Sequence, residues 1–336
     1  MAGGNVGLGG GGALGLALET TSGTYAAPTV WIPITSETFR YVENRYFSPQ
    51  LRQQVMVSDV KQGYYHIEGD VTFEVDPNFF PYFLYMSRHT ITKTGASAPY
   101  TYKAVPNKVA SLTQAVAGSA RTASITIIRN NIEWAYTGCG VGQYSFTINN
   151  GVLECTMTLL GNGETEPASG APHTPTWQTP DLYGADAHAI FVASDFGVSP
   201  TFGAASVDFN GITLVMNHNA AAQNRIVKNR AASYISFGET DVTFTTELDF
   251  VDDTEYNNFK NTTQRGIKLE STQGANPFAT ATDGVQIQLN RFAYETYDVG
   301  LPAMGDLIMA GVTGRGLAIA GGDAYQISCK SPANIT

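Results

Sequence analysis

Residues 62–76, QGYYHIEGDVTFEVD, alternate between apolar and polar. Tyr65, Ile67, Val71, Phe73 and Val75 fall between Tyr64, His66, Glu68, Asp70, Thr72, Glu74 and Asp76. Period two with one apolar face predicts a half-buried strand. At about 3.3 Å per residue the run would span roughly 50 Å. TVWIPITSETFRYV (29–42) also reads as β, as do 123–138 and 144–161. Asn149-Asn150-Gly151 is a hairpin-turn candidate, because Asn and Gly accept positive φ cheaply. Between the β runs, PNFFPYFLYMSRH (77–89) reads as a short apolar helix opened by proline.

Past a proline-rich, aperiodic stretch at 161–184 the order repeats. Residues 210–217 predict a strand. In 233–250, Val242, Phe244, Leu248 and Phe250 alternate with Asp241, Thr243, Thr245, Glu247 and Asp249. Residues 251–261 predict a short helix with Asp252 or Asp253 as N-cap. Residues 284–299 and 306–322 predict closing strands. Asp70-Val71-Thr72-Phe73 returns unchanged as Asp241-Val242-Thr243-Phe244, 171 positions later. At that offset Glu68 falls on Glu239, Thr72 on Thr243 and Asp76 on Glu247. The expectation is an all-β chain with short helices. It consists of a flexible Gly-rich arm (1–29), one β domain (30–161), a linker (162–183), a second copy (184–330) and a tail (331–336).

Composition changes this picture in two ways. Charged residues are only 14 % of the 336, well below the usual quarter, which suits a chain that covers much of itself with neighbours. The net charge of −10 argues against a nucleic-acid binder with a basic footprint. No apolar run reaches the roughly 18 residues of a membrane span, and no basic leader opens the chain. Three cysteines without metal spacing predict reduced, buried thiols.

The polar sides of the two long strands are rich in acids and threonine. Two readings stand: a solvated outer face, or a wall past which a polyanion slides without sticking. Of the two long loops, 218–233 carries Arg225, Lys228 and Arg230 with no acid, and would dock on an acidic surface of another copy. Catalytic and cofactor patterns are missing. GLGGGG (7–12) follows no strand and lacks the Lys-Ser/Thr of a phosphate loop. The five histidines lack paired-ligand spacing, and VDDTE lacks the oxygen ladder of a calcium loop. No nucleophile elbow appears. Neither an enzyme nor a cofactor or metal is expected.

ALETTSGTYAAPTVWIPITSETF (18–39) resembles the opening signature of phage tail tube proteins, the major tail proteins of long non-contractile tails. The resemblance implies two tandem tail-tube-type β-sandwich or barrel domains, each with a long β-hairpin and one short helix. It implies a structural virion protein, assembled in the host cytoplasm, whose stacked rings conduct DNA during ejection. Three two-domain chains would form a pseudo-hexameric ring; a hexamer with the second domain outside is the runner-up. Tape measure and tail tip or terminator proteins would be further partners. Glu68, Asp70, Thr72, Glu74, Asp76, Glu239, Asp241, Thr243 and Glu247 would line the lumen. Arg45, Arg52, Arg225, Lys228 and Arg230, with the N-terminal arm and loops 44–61 and 217–232, would join rings. The competing class is a β-rich phage adhesin or decoration protein, monomeric or trimeric without filaments.

Overall fold

Side chains that alternate apolar and polar are satisfied by a sheet with one covered face. The computed structural model describes the chain except residues 1–11, 50–55, 57–58, 108–111, 113–120, 131, 150, 166–171, 179–182, 206–208, 274–276, 304–305 and 336. The first half holds β1 (Ala13–Leu18), β2 (Val30–Ile32), β3 (Ser36–Glu37), β4 (Arg40–Glu43), β5 (Tyr46–Phe47), β6 (Val60–Lys61), β7 (Tyr65–Glu74), α1 (Phe80–Tyr85), β8 (His89–Thr94), β9 (Tyr100–Pro106), β10 (Ala123–Arg129), β11 (Ile132–Asn149), β12 (Val152–Gly161) and β13 (Gly163–Thr165). The second holds β14 (His188–Val192), β15 (Phe209–Asn217), β16 (Ala221–Gln223), β17 (Tyr234–Ser236), β18 (Asp241–Asp249), α2 (Thr254–Lys260), β19 (Arg265–Thr272), β20 (Gly284–Val299), β21 (Met309–Gly316) and β22 (Tyr325–Ser331). The fold is all-β with two short helices among the described residues.

Two long strands organise the molecule. β11 pairs with β10 through residues 132–139 and with β12 through 140–149. β20 does the same: 284–292 pair with β19 and 292–299 with β21. β12 then pairs with β7, as β21 pairs with β18. Outside β7 lie β3 and β4; outside β18 lies β15. The order β3/β4, β7, β12, β11, β10 thus has a counterpart in β15, β18, β21, β20, β19, whereas β2, β8 and β9 have none among the described strands. The halves join where β11 pairs with β15, and where β22 returns to pair with β9. One continuous run results: β3/β4, β7, β12, β11, β15, β18, β21, β20.

The apolar face of this run is the core. Ile67, Val71 and Phe73 of β7, Cys155 and Met157 of β12, Phe146 of β11, and Leu214 and Phe244 of the second half are buried together. Phe73 stacks on Phe83 of α1 at 5.0 Å. Pro81 sits in the first turn of α1, where no amide partner is lost, and five of its residues are buried. The two helices differ in depth, since α2 buries no residue. Asp252 accepts the Thr254 amide at its start (2.8 Å), while Asp253 occupies the N-cap position without a side-chain bond. All three cysteines are free and buried, and burial holds their thiols well above the usual range.

Several boundaries differ from the sequence expectation. The long strand at 62–76 has ten residues, starting at Tyr65. The run 233–250 splits into β17 and β18, and 306–322 contributes strand only from Met309 to Gly316. The arm 1–29 is not flexible throughout. ALGLAL (13–18) is β1, clamped between β10 and β2, with Leu14 and Leu16 fully buried. Residues 1–11 lie outside the described residues. The tail is pinned at Ile335, which is buried and whose amide donates to Tyr102 Oη (2.8 Å). Within 162–183, β13 pairs with β11 and Trp177 bridges to Trp31 in the first half, while Tyr183 donates to Asp283 of the second (2.7 Å).

Candidate functional site

The opposite face of the run is polar, and strand register sets its rows. Thr72 faces Thr156, which faces Ser145, which faces Val215, then Thr243, Arg315 and Ala293. A neighbouring row runs Glu74, Glu154, Thr147, Thr213, Thr245, Thr313, Thr296. Threonine hydroxyls meet across strands at Thr72–Thr156 (3.0 Å), Thr147–Thr213 (3.2 Å) and Thr296–Thr313 (2.7 Å). Threonine suits such a face, because its branched Cβ favours strand and its hydroxyl satisfies a neighbour.

The predicted lining residues divide. Asp70, Thr72, Glu74, Asp241, Thr243 and Glu247 share this polar face with Glu68. Asp70 accepts from Thr158 Oγ1 at 2.7 Å. Glu239 is exposed just before β18. Asp76 does not belong with them: it is 2 % exposed. β7 has ended by then, and the Asp76 carboxylate turns in to accept the Asn78 amide (2.7 Å) ahead of α1.

The face is also less acidic than single strands suggest. Arg40 of β4 pairs with Glu68, and Arg315 of β21 grips Asp241 with two bonds, Nε to Oδ1 (2.9 Å) and Nη2 to Oδ2 (2.8 Å). These hydrogen bonds hold both carboxyls below the usual range. The sequence reading missed both arginines, because each sits on a strand adjacent to its acid. Arg315 had a signal, since it falls on the polar parity of MAGVTGRG.

Two edges of the run are open among the described residues. β11 uses the side carrying β10 for β15 as well. On β20 that side carries β19 up to Phe292, and 293–299 have no strand beside them. At the other end β3 and β4 pair only with β7. A groove of about 450 Å³ along the β3 edge is lined by Ile34, Ser36, Glu37, Ile127 and Arg129. The Arg129–Glu37 pair (2.6 Å) fixes that edge on β10.

The predicted ring-joining residues also divide. The described residues of 44–61 and the loop 217–232 leave the same rim of the sheet, where Ala231 bridges to Tyr65 at the start of β7. Arg230 is drawn inward to Glu43, Gln62 Oε1 (2.7 Å) and the Gly63 carbonyl (3.1 Å). Arg45 pairs with Glu43 (3.2 Å). Arg225 and Lys228 point outward and stay exposed. Arg52 lies outside the described residues. Sequence reasoning also missed Glu19, within the opening signature. Its buried carboxylate accepts from Gly23 N (2.7 Å), Thr122 Oγ1 (2.6 Å), Ser124 Oγ (2.8 Å) and Gly138 N (2.9 Å), tying β1 to β10 and β11. Among the described residues no group of His, Cys, Asp or Glu could hold a metal ion.

The profile of the phage tail tube protein family matches residues 9–324, and the chain belongs to that family. It is a structural component of the bacteriophage tail. No curated protein matches the chain.

Proposed function

We propose that each chain contributes two copies of one β unit to a ring of three chains, and that stacked rings form the tube of a long non-contractile tail. The single observation carrying this reading is the seam between the halves. Inside the chain, the β11 edge of the first unit takes up β15, the outer strand of the second. The same pairing leaves the β20 edge of the second unit open, and open too is β3/β4, the first unit's counterpart of β15. Repeating the internal seam between chains closes the sheet and removes both edges. Both units lie in one continuous sheet, which favours three two-unit chains over a hexamer with the second unit outside.

Closure with the apolar face outward-packed leaves the threonine rows facing the bore. Uncharged hydroxyls and acids with no ion pair among the described residues, Asp70, Glu74 and Glu247 among them, would repel DNA phosphates weakly and evenly, so DNA would pass during ejection without a site at which to stop. Tape measure protein would occupy the same bore before ejection, and terminator and tip proteins would bound the tube. Electron microscopy of the purified chain tests this. Hollow filaments whose averaged cross-sections have threefold symmetry support it; a protein that stays monomeric at high concentration, or sixfold rings of six chains, refutes it.

A further inference from the structure

The two rims of the second half are opposite in character. β15 ends at Asn217 and β18 begins at Asp241, so the hairpin β16–β17 and its 224–233 loop leave one rim. β18 ends at Asp249, β20 at Val299, and β21 begins at Met309, so α2 and the described residues of 300–308 lie at the other. A nine-residue strand at about 3.3 Å per residue separates the rims by roughly 30 Å.

At the first rim the loop tip carries Ile226, 97 % exposed, and Val227, 58 % exposed, between Arg225 and Lys228. A bare isoleucine held clear of its own protein is costly in water and gains on burial. At the opposite rim lies an exposed apolar patch, Val251 at 75 %, Leu301 at 90 % and Leu307 at 77 %. Beside it opens a groove of about 330 Å³ lined by Phe209, Leu248, Val251 and Tyr297 together with Asp249, Asp252, Glu255 and Arg265, the last two paired with each other (2.7 Å). Asp253, Asp298 and Asp306 are exposed around it. A cation-flanked apolar tip at one end therefore faces, at the other, exposed apolar side chains beside a mainly polar groove with acids around it.

We infer that the Arg225–Lys228 tip of one copy docks head to tail on the α2 rim of a second copy in the next ring. Ile226 enters the groove beside Val251, and Arg225 and Lys228 meet the acids around it. The inference rests on the tube reading and names the receiving surface, which that reading leaves open. Knob and groove sit on opposite rims, so the contact is heterologous and propagates as an open polymer instead of closing a dimer. It also gives the tube a direction: every ring shows loops at one end and acids at the other. Opposed charges at a partly exposed contact make growth sensitive to salt.

The test uses the full chain with Arg225→Glu and Lys228→Glu. Lys228 has no ion pair among the described residues, and Arg225 touches Tyr234 of its own hairpin, so folding and ring closure should stand. Ring mass is measured by native mass spectrometry and tube mass by sedimentation. The expectation is intact rings with pelletable tube reduced roughly tenfold or more at low salt. Adding Asp253→Lys and Asp298→Lys to the same chain should restore tubes. Wild-type levels of tube from the first variant, loss of its rings, or failure of the second pair to rescue would each overturn the docking while the tube reading stands. A wild-type chain that forms neither rings nor tubes would instead remove the tube reading itself. An Ile226→Asp chain provides a second arm: it leaves both charges in place and should also stop at rings, and tubes from it would contradict burial of the tip.

Discussion

Thr147 of β11 and Thr213 of β15 meet hydroxyl to hydroxyl at 3.2 Å, across the seam that joins the two halves into one sheet. β15 is wedged there between β11 and β18, so its backbone serves a strand on each side through alternate residues. Thr213→Pro removes a ladder donor in mid-sheet and should destabilise the chain by about 3 kcal/mol or more. Thr213→Val keeps the backbone bonds and should cost about 1 kcal/mol at most. Urea unfolding midpoints compare the two; equal midpoints would mean the seam adds nothing to stability.

Glu19 is the other place where several strands depend on one side chain. Glu19→Ala strands four donors in the interior, each costing about 1–3 kcal/mol when left unpaired. The expected outcome is a chain that fails to fold or melts far below wild type. Glu19→Gln retains acceptor capacity and should lose less. Thermal melts of both variants decide it, and a wild-type melt for Glu19→Ala would contradict the hub.

Acid should weaken the fold before it titrates ordinary carboxylates. His89 is fully buried among Ser87, Tyr144, Tyr325 (3.1 Å) and the ring of His218 (5.3 Å between centroids), with Arg88 next to it in sequence. Burial pushes its pKa down to about 4 from 6.5, and burial with the His89 and Arg88 charges lowers His218 as well. Both are neutral when folded and charge when unfolded, so the unfolded chain binds more protons between about pH 6.5 and 4. Stability is full above that window and falls as pH drops through it, by up to about 3 kcal/mol for His89 alone. Denaturant midpoints at pH 7 and pH 5 should differ, and His89→Asn should flatten the difference. An unchanged slope in that variant would assign the acid response elsewhere.

Charge on the threonine rows should decide whether DNA slips or sticks. Thr72→Lys with Thr243→Lys puts cations at equivalent places of both halves. Tubes of this variant should retain a DNA oligonucleotide at low salt and release it as salt rises, where wild-type tubes retain none. Filter retention of labelled DNA measures this; equal retention would place these rows away from the bore.

The sequence showed the parts of the fold where one face is wet. β7 and β18 were legible because Val71, Phe73, Val242 and Phe244 alternate with polar partners, and the copied tetrapeptide aligned the halves. Strands covered on both faces lose that signal. ALGLAL looked like more of the glycine-rich arm, yet it is β1, and small residues are there because Gly15 packs directly on Pro28 and Trp31. β22 was invisible for another reason: YQISCKS alternates, but it is held between β20 and β9, and β9 lies more than 200 residues back. The lining acids were legible as a face and not as a charge, because Arg40 and Arg315 reach them only through cross-strand register. Asp76 kept the parity of β7 after the strand had ended.

Register also yields the sharpest test. Ser145 faces Val215 at the internal seam, and the proposed repeat of that seam would bring Ala293 opposite Ser36 of the next chain. Directly opposed antiparallel residues lie about 4.5–5.5 Å apart at Cα, within reach of a disulfide, and the native cysteines are buried out of the way. A chain carrying Ser36→Cys and Ala293→Cys, oxidised after assembly and run on a non-reducing gel, should give a ladder that ends at three chains. Monomer bands alone from assembled protein, or a ladder that runs on to six, would contradict a ring of three chains closed edge to edge.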